Sequence, residues 1–364
     1  MKLVVKDFLN VRVGDPNVNA PSFQYLAPGS EVEVDGRLYK GGEFEKINTW
    51  YKDAANNYYW SGGFAVEKIV TPTEFDPAKM SWGHERYNLP FIWNKLKTTG
   101  EGITVAVIDT GADTHHEDLA TKINPLSKSF VGDAGNFNDT DGHGTTMAGI
   151  IGASGKSKVF GVAPGAGLLI LKASEHKRGG DVKLFAKALD YAADIAAVDI
   201  ISFSTVLPDD ADLKTAIGKC HAKGKVVIAA IGNARDISIP EGPDVNTFPA
   251  CYDNVIAIGA FDPAGNIVPF SNWNPQLDLL APGDLSVLTT TLNNGRGFGG
   301  GTSIATAFTA GCLALLLASA KGKTSKDKCI EAIFSTCDDI GPTIGRDIRS
   351  GRGLLNLRNA ITKL

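Results

Sequence analysis

Residues 103–109 read ITVAVID, and four later stretches share its character: LLILKAS at 168–174, VDIISFS at 198–204, KVVIAAIG at 225–232 and VIAIGA at 255–260. Each is a continuous, β-branched-rich apolar run of strand length. Strands buried on both faces of a parallel sheet have this pattern. Between the runs lie amphipathic stretches. Residues 181–197 place Leu184, Ala188, Leu189, Ala192 and Ile195 at helical spacing, and residues 213–223 form a second such stretch. Strands alternating with helices predict an α/β layered domain built on a parallel sheet. Functional groups in such sheets collect just past the carboxyl ends of the strands, so the residues that follow each run carry the most information.

Those residues are polar and varied. Asp109-Thr110-Gly111 follows the first run, and Asn233 follows KVVIAAIG. Asp141-Gly142-His143-Gly144-Thr145 leads into the small-residue stretch MAGIIGA, and Gly299-Gly300-Gly301 leads through Thr302-Ser303 into IATAFTAGCLALLLAS. Taken singly these residues are ordinary, since Asp109 and Ser303 suit helix caps and Asn233 suits a turn. Together they supply an acid, a base, an amide donor and a hydroxyl, the four parts of serine acyl transfer.

In order along the chain, VIDTGADTHHEDL, DGHGTTMAGIIG, IAAIGN and GTSIATAFTAG resemble the aspartate, histidine, asparagine and serine motifs of the subtilisin-like serine protease family (peptidase S8, subtilases). The connecting pieces GVAPGAGLLILK, FPACYDNVIAIGA and FSNWNPQLDLLAPG fit the same family, and the likeness spans residues 89–364, about three quarters of the chain. The resemblance implies a three-layer parallel-sheet domain and a serine endopeptidase acting on protein or peptide substrates through an acyl-enzyme. It implies that Asp109 orients the imidazole, that His143 is general base and then general acid, and that Ser303 is the nucleophile. Asn233 and the Ser303 backbone N–H would hold the oxyanion. No cofactor is required for this chemistry. The rival function is a catalytically weak or inactive member that serves as a binding module.

Two departures bear on this expectation. Ile304, Ala307 and Phe308 stand where the family usually has Met, Pro and His, and Ser202-Phe203-Ser204 stands where it usually has Ser-Leu-Gly. Ser202, Phe203 and Ser204 are expected on one side of the substrate cleft, with Ala230, Ile231 and Gly232 as the other wall. A Ser204 side chain there would disfavour large aromatic residues before the cut. Asp133, Asn136, Asn138, Asp139 and Asp141 form an oxygen-rich run. Such a run suits either local turn bonds or part of a calcium site; calcium is therefore not assigned. His115 and His116 are adjacent on a loop and do not suggest a metal; the resemblance gives His116 a structural role. Gly295, Gly297 and Gly300 spell GxGxxG but follow a polar stretch rather than an apolar strand, so dinucleotide binding is not expected.

The first part of the chain reads differently. Val11 and Val13, Val32 and Val34, and Phe44 and Ile47 alternate between the turn candidates Gly14-Asp15-Pro16, Pro28-Gly29 and Gly41-Gly42. Residues 1–68 are thus expected to form a small all-β barrel, and their order of motifs resembles a bacterial SH3-type domain, implying a peptide or cell-wall ligand. Trp50, Tyr51, Tyr58, Tyr59 and Trp60 either fill its small core or line a groove. Residues 69–88 read as a linker and residues 89–364 as the peptidase domain.

Composition sets the outer limits. The chain has 364 residues, 43% hydrophobic and 21% charged, with a net charge of −4. It shows no basic block, no apolar run of membrane-span length and no signal-like leader, which argues against nucleic acid or membrane as partner. The five cysteines show no metal spacing and are expected to be free thiols. A cytoplasmic enzyme that folds without propeptide removal is the expectation, with secretion by a non-standard route left open. The N-terminal module is expected to guide substrates or cover the cleft.

Overall fold

The computed structural model describes residues 2–6, 9–27, 30–64, 75–177, 179–234, 246–321, 323–341 and 344–364, with backbone alone at 23–25. Seven strands occupy the N-terminal part: β1 (Lys2–Val4), β2 (Leu9–Val13), β3 (Ser22–Leu26), β4 (Glu31–Glu33), β5 (Tyr39–Phe44), β6 (Ile47–Lys52) and β7 (Asn57–Trp60). They form an antiparallel sheet in the order β3-β2-β7-β6-β5 beside a β1–β4 pair. Val5, Leu9, Val11, Val32, Val34, Tyr59 and Phe64 make its core. Two local expectations change. Gly41-Gly42 is no turn but lies inside β5, where the Gly42 N–H donates to the Pro16 carbonyl at 2.7 Å. The β5–β6 turn is instead made by Glu45 and Lys46, both at positive φ, so Phe44 and Ile47 face each other across the hairpin and are exposed. Pro28-Gly29 lies outside the described residues.

The stretch expected as a linker is structured over its described part, from residue 75. A 3₁₀ turn at Pro77–Lys79 precedes α1 (Trp82–Tyr87), and α2 (Leu89–Leu96) follows at once. The buried side chains of His84 and Tyr87 lie 6.1 and 5.7 Å, ring to ring, from Phe308. Gly83 has no room for a side chain, because a Cβ there would lie 2.6 Å from the Phe308 ring. The α/β domain therefore begins before residue 89.

The remaining elements are β8 (Thr104–Asp109), β9 (Lys128–Ser129), α3 (His143–Gly152), β10 (Gly167–Lys172), α4 (Val182–Asp194), β11 (Val198–Phe203), α5 (Ala211–Ala222), β12 (Val226–Ala230), β13 (Val255–Phe261), β14 (Leu279–Pro282), β15 (Val287–Thr291), β16 (Gly295–Gly299), α6 (Thr302–Ala320), α7 (Lys326–Ser335) and α8 (Leu357–Thr362). Seven strands pair in parallel in the order β14-β13-β12-β11-β8-β10-β9. All five strands read from the sequence lie in it. The alternation of β8 explains its unbroken apolar run: Val105 and Val107 join the core with α3 and α6, whereas Ala106 and Ile108 join the core with α4 and α5. Three layers result. Strand order reverses around β8, and the crevice at such a reversal, outside the carboxyl ends, is where ligands bind.

Helix α6 runs through the centre and is buried along nearly its whole length. By length and composition alone it is apolar enough to cross a membrane, contrary to the expectation that the chain holds no such stretch, yet here it is core. All five cysteines are free, and four of them are buried.

The N-terminal unit is docked against α7 and α8. The Arg37 guanidinium donates to the Ser335 carbonyl and the Asn359 amide donates to the Gly36 carbonyl. The Leu38 N–H donates to Asp338 Oδ1 at 3.1 Å, and the Asn356 amide reaches the same oxygen at 2.8 Å. Burial pushes the Asp338 carboxyl up to about 6, against the opposing pull of these donors, Arg86 and Arg37. The folded state thus holds this proton more tightly than the unfolded chain does. Its stabilising effect is complete below the ordinary value of 3.8 and is lost as pH rises towards 6. Asp338→Asn mimics the protonated form. Urea unfolding should show it more stable than the parent by about 2–3 kcal/mol at pH 8, with the gap closing near pH 4.

Candidate active site

Asp109 ends β8, in register with Lys172 at the end of β10. Its Oδ1 accepts the Thr110 N–H at 2.8 Å and the His143 Nδ1–H at 2.8 Å. His143 opens α3, and the loop before it is wound by Asp139. That buried carboxylate accepts the N–H groups of Asp141 and Gly142 through Oδ1, and the N–H and hydroxyl of Thr145 through Oδ2. Asp139 therefore satisfies backbone donors at the helix start, which otherwise lack acceptors. Gly144 lets α3 sit directly on the Asp109 loop, because a Cβ there would lie 2.1 Å from the Gly111 carbonyl. The Gly144 N–H donates instead to Thr110 Oγ1 at 2.9 Å.

The other members of the oxygen-rich run are also engaged locally. Asp133 Oδ1 accepts from Gly135 and Asn136 Oδ1 from Asn138, while Asn138 Oδ1 accepts from Thr114 and Asp141 Oδ1 from His143. His115 is exposed. His116 is fully buried, with Nδ1 accepting the Asp118 N–H and Nε2 bonded to the Gly295 carbonyl at 2.8 Å.

Ser303 is the second residue of α6. Its hydroxyl donates to the Ser204 carbonyl at 2.9 Å, so the resting acceptor is this carbonyl rather than His143. Asn233, just past β12, accepts the Thr302 N–H on Oδ1 at 2.7 Å. The Thr302 hydroxyl in turn accepts the Gly232 N–H at 3.2 Å. Both amide atoms of Asn233 lie near Gly301. A Cβ built on Gly301 would stand 3.4 Å from Asn233 Nδ2 and 3.7 Å from the Ser303 nitrogen. The same point lies 3.6 Å from Asn233 Oδ1. Thr302 and Gly301, which build this arrangement, were not singled out from the sequence, although both lie inside the GTS motif.

Of the six expected cleft residues, two have side chains that face the core. Phe203 packs on Phe185 at 5.4 Å in the core with α4 and α5, and Ile231 is buried in that same core. Strand alternation sends their side chains away from α6. Ser202 and Ala230 are buried, and Gly232 is tied to Thr302. Ser204 is buried as well, and its hydroxyl donates to the Ser303 carbonyl at 3.3 Å, towards α6. The GxGxxG glycines fall largely on β16, a strand rather than a phosphate loop.

A parallel-sheet domain with an aspartate–histidine pair at one strand end and a serine at a helix start defines a class of hydrolases. Comparison with known proteins narrows it. The model of the subtilase family (Peptidase S8) matches residues 100–349. An intracellular serine protease of Paenibacillus polymyxa is 37% identical over 281 residues, 76% of this chain and 84% of the relative. The major intracellular serine protease of Bacillus subtilis (strain 168) is 38% identical over 258 residues, 69% and 79% of the two chains. A thermophilic serine proteinase of Bacillus sp. (strain AK1) is 32% identical over 307 residues, 84% and 72%. The chain belongs to the subtilase family and is a subtilisin-like serine protease.

The environment of His143 sets its basicity. Burial works to lower its pKa, but the Asp109 carboxylate at bonding distance and, less strongly, Asp141 outweigh burial, so the imidazole is raised above its ordinary 6.5. NMR titration should find His143 titrating above 6.5 in the parent and at or below it in Asp109→Asn, where burial acts with less opposition.

Proposed function

We propose that Ser303, His143 and Asp109 cleave peptide bonds through an acyl-enzyme. The bond between His143 and buried Asp109 carries this reading, because it fixes the tautomer that leaves Nε2 free as base. The Ser303 hydroxyl leaves the Ser204 carbonyl, gives its proton to Nε2 and attacks the substrate carbonyl. Negative charge then develops on the carbonyl oxygen in the space between Asn233 Nδ2 and the Ser303 N–H. The latter is an unsatisfied amide at a helix N-terminus, where the dipole favours an anion. The imidazolium, stabilised by Asp109, protonates the leaving amine; water then repeats the sequence on the acyl-enzyme. Ser204, Ala230 and Gly232 border the acyl side of the cleft through their backbones. This chemistry needs no cofactor, and the oxygen-rich run serves the helix start.

The N-terminal unit is, in this proposal, an SH3-type barrel. Its Trp50, Tyr58 and Tyr59 are buried, which supports a core role over a groove. Its docking on α7 and α8 supports a positioning rather than a cleft-covering role. Two relatives carry "intracellular" in their names, which supports a cytoplasmic location for this chain too.

A fluorophosphonate probe should label the parent protein and fail to label Ser303→Ala, and a proteome-wide cleavage profile should vanish in that variant. Labelling that persists in Ser303→Ala, or is absent from the parent, would overturn the assignment. Gly301→Ala tests the oxyanion space separately. Gly301 has φ +131°, and the new methyl would occupy the space between the two donors. Turnover should fall by about 10²–10³, the cost known for losing one such donor in a subtilisin.

A further inference from the structure

Lys172 lies almost wholly inside the protein, at 3% exposure. A buried ammonium is costly unless it is paired and hydrogen-bonded, so its partners are informative. Lys172 ends β10 in register with Asp109. In-register residues of adjacent strands share a face, and Asp109 reaches His143 on α3 from that face. The ammonium donates to the Asn138 carbonyl at 3.0 Å and to Glu175 Oε2 at 2.8 Å. Glu175 is exposed, and the bond from Lys172 holds its carboxyl below the usual range. The same Oε2 accepts the Thr140 hydroxyl at 3.3 Å. Two residues further on, the Lys177 N–H donates to Asp141 Oδ2 at 3.3 Å.

The end of β10 and the chain leaving it thus touch residues 138, 140 and 141, on both sides of Asp139. Asp139 winds the start of α3 and so presents His143. Most of residues 132–140 are exposed, and core packing does little to fix such a segment. A second tie runs to the chain just past Asp109. There the Ala112 N–H donates to the Phe137 carbonyl at 3.2 Å, and the Asp139 N–H donates to the Ala112 carbonyl at 3.1 Å. We infer that Lys172 and Glu175 are positioning residues for the general base. Together they clamp the loop on either side of Asp139 and fix where His143 stands relative to Asp109 and Ser303. Neither acts on the reacting atoms. A catalytic group misplaced by about 1 Å costs on the order of 10²-fold in rate, so a clamp outside the triad has leverage on turnover. This role rests on the peptidase reading above and concerns the same site.

The test follows hydrolysis of an internally quenched peptide and inactivation by a fluorophosphonate. Glu175 is exposed, so substituting it leaves the core intact. Glu175→Ala should lower kcat about ten-fold with KM within about two-fold, and Glu175→Gln, which keeps an acceptor for both donors, should recover most of the loss. Adding Thr140→Val to Glu175→Ala should cost less than Thr140→Val costs alone, as for residues joined in one contact. Lys172→Met should lower kcat further, by about 10²-fold. The Glu175 series decides the matter whether or not Lys172→Met folds. Fluorophosphonate inactivation needs the base but not peptide binding, and should slow in step with kcat. Parental kcat in Glu175→Ala, or a loss confined to KM, overturns the clamp and leaves the peptidase reading standing. Failure of a fluorophosphonate to label Ser303 in the parent overturns the peptidase reading instead.

Discussion

A helix that is apolar on every side has one stable location, the middle of a core. Helix α6 is that helix, and most of the architecture follows from enclosing it. The sheet covers it on one side, while α3, α7 and the α1–α2 pair close the rest. Because α6 cannot move without opening the core, its first turn is a rigid platform, and Ser303 is placed by the burial of the residues behind it. The Thr302 amide of that first turn is bonded to Asn233 Oδ1, which ties the turn to the end of β12. Phe308 shows how far the constraint reaches. An aromatic ring on this helix demands a recess, which α1 supplies with a glycine at position 83 and rings at 84 and 87.

The same reasoning explains what was legible in the sequence. The parallel strands declared themselves because burial on both faces removes every polar position, as the split of β8 residues between two cores illustrates. The expected site residues drew attention because Asp109 and Asn233 stand at strand ends and His143 and Ser303 at helix starts, each beside or within two residues of a glycine. Helix α1 was not legible. Its buried residues are a glycine, a histidine and a tyrosine, so no apolar period marks it, and the ring it packs against, Phe308, lies more than 200 residues away. Gly41-Gly42 misled for a related reason: glycine marks close backbone approach as well as turns, and here the approach is to Pro16. Phe203 and Ile231 were expected at the cleft from the family resemblance; the two-residue period of a strand assigns neighbours to opposite faces, which sends the Phe203 side chain to the α4–α5 core. Phe203 pairs in register with Ile108, itself an α4–α5-side residue, and that parity was available from the strand alignment.

The active-site geometry is a set of competing hydrogen bonds rather than a finished relay. Asp109 Oδ1 is shared between a backbone amide and the imidazole, and the Ser303 hydroxyl rests on a carbonyl of the neighbouring strand. Exchanging one neutral hydrogen bond for another costs about 1 kcal/mol or less. In the proposed reaction, release of Ser303 is therefore small against the barrier of peptide hydrolysis. The expensive part is the buried aspartate–histidine pair. Burial alone would disfavour charge on the ring, and the raised basicity of His143 shows that the carboxylate overcomes it. The pair is brought to bonding distance by local structure: Asp139 winds the loop before His143, and Gly144 lets α3 touch the strand end.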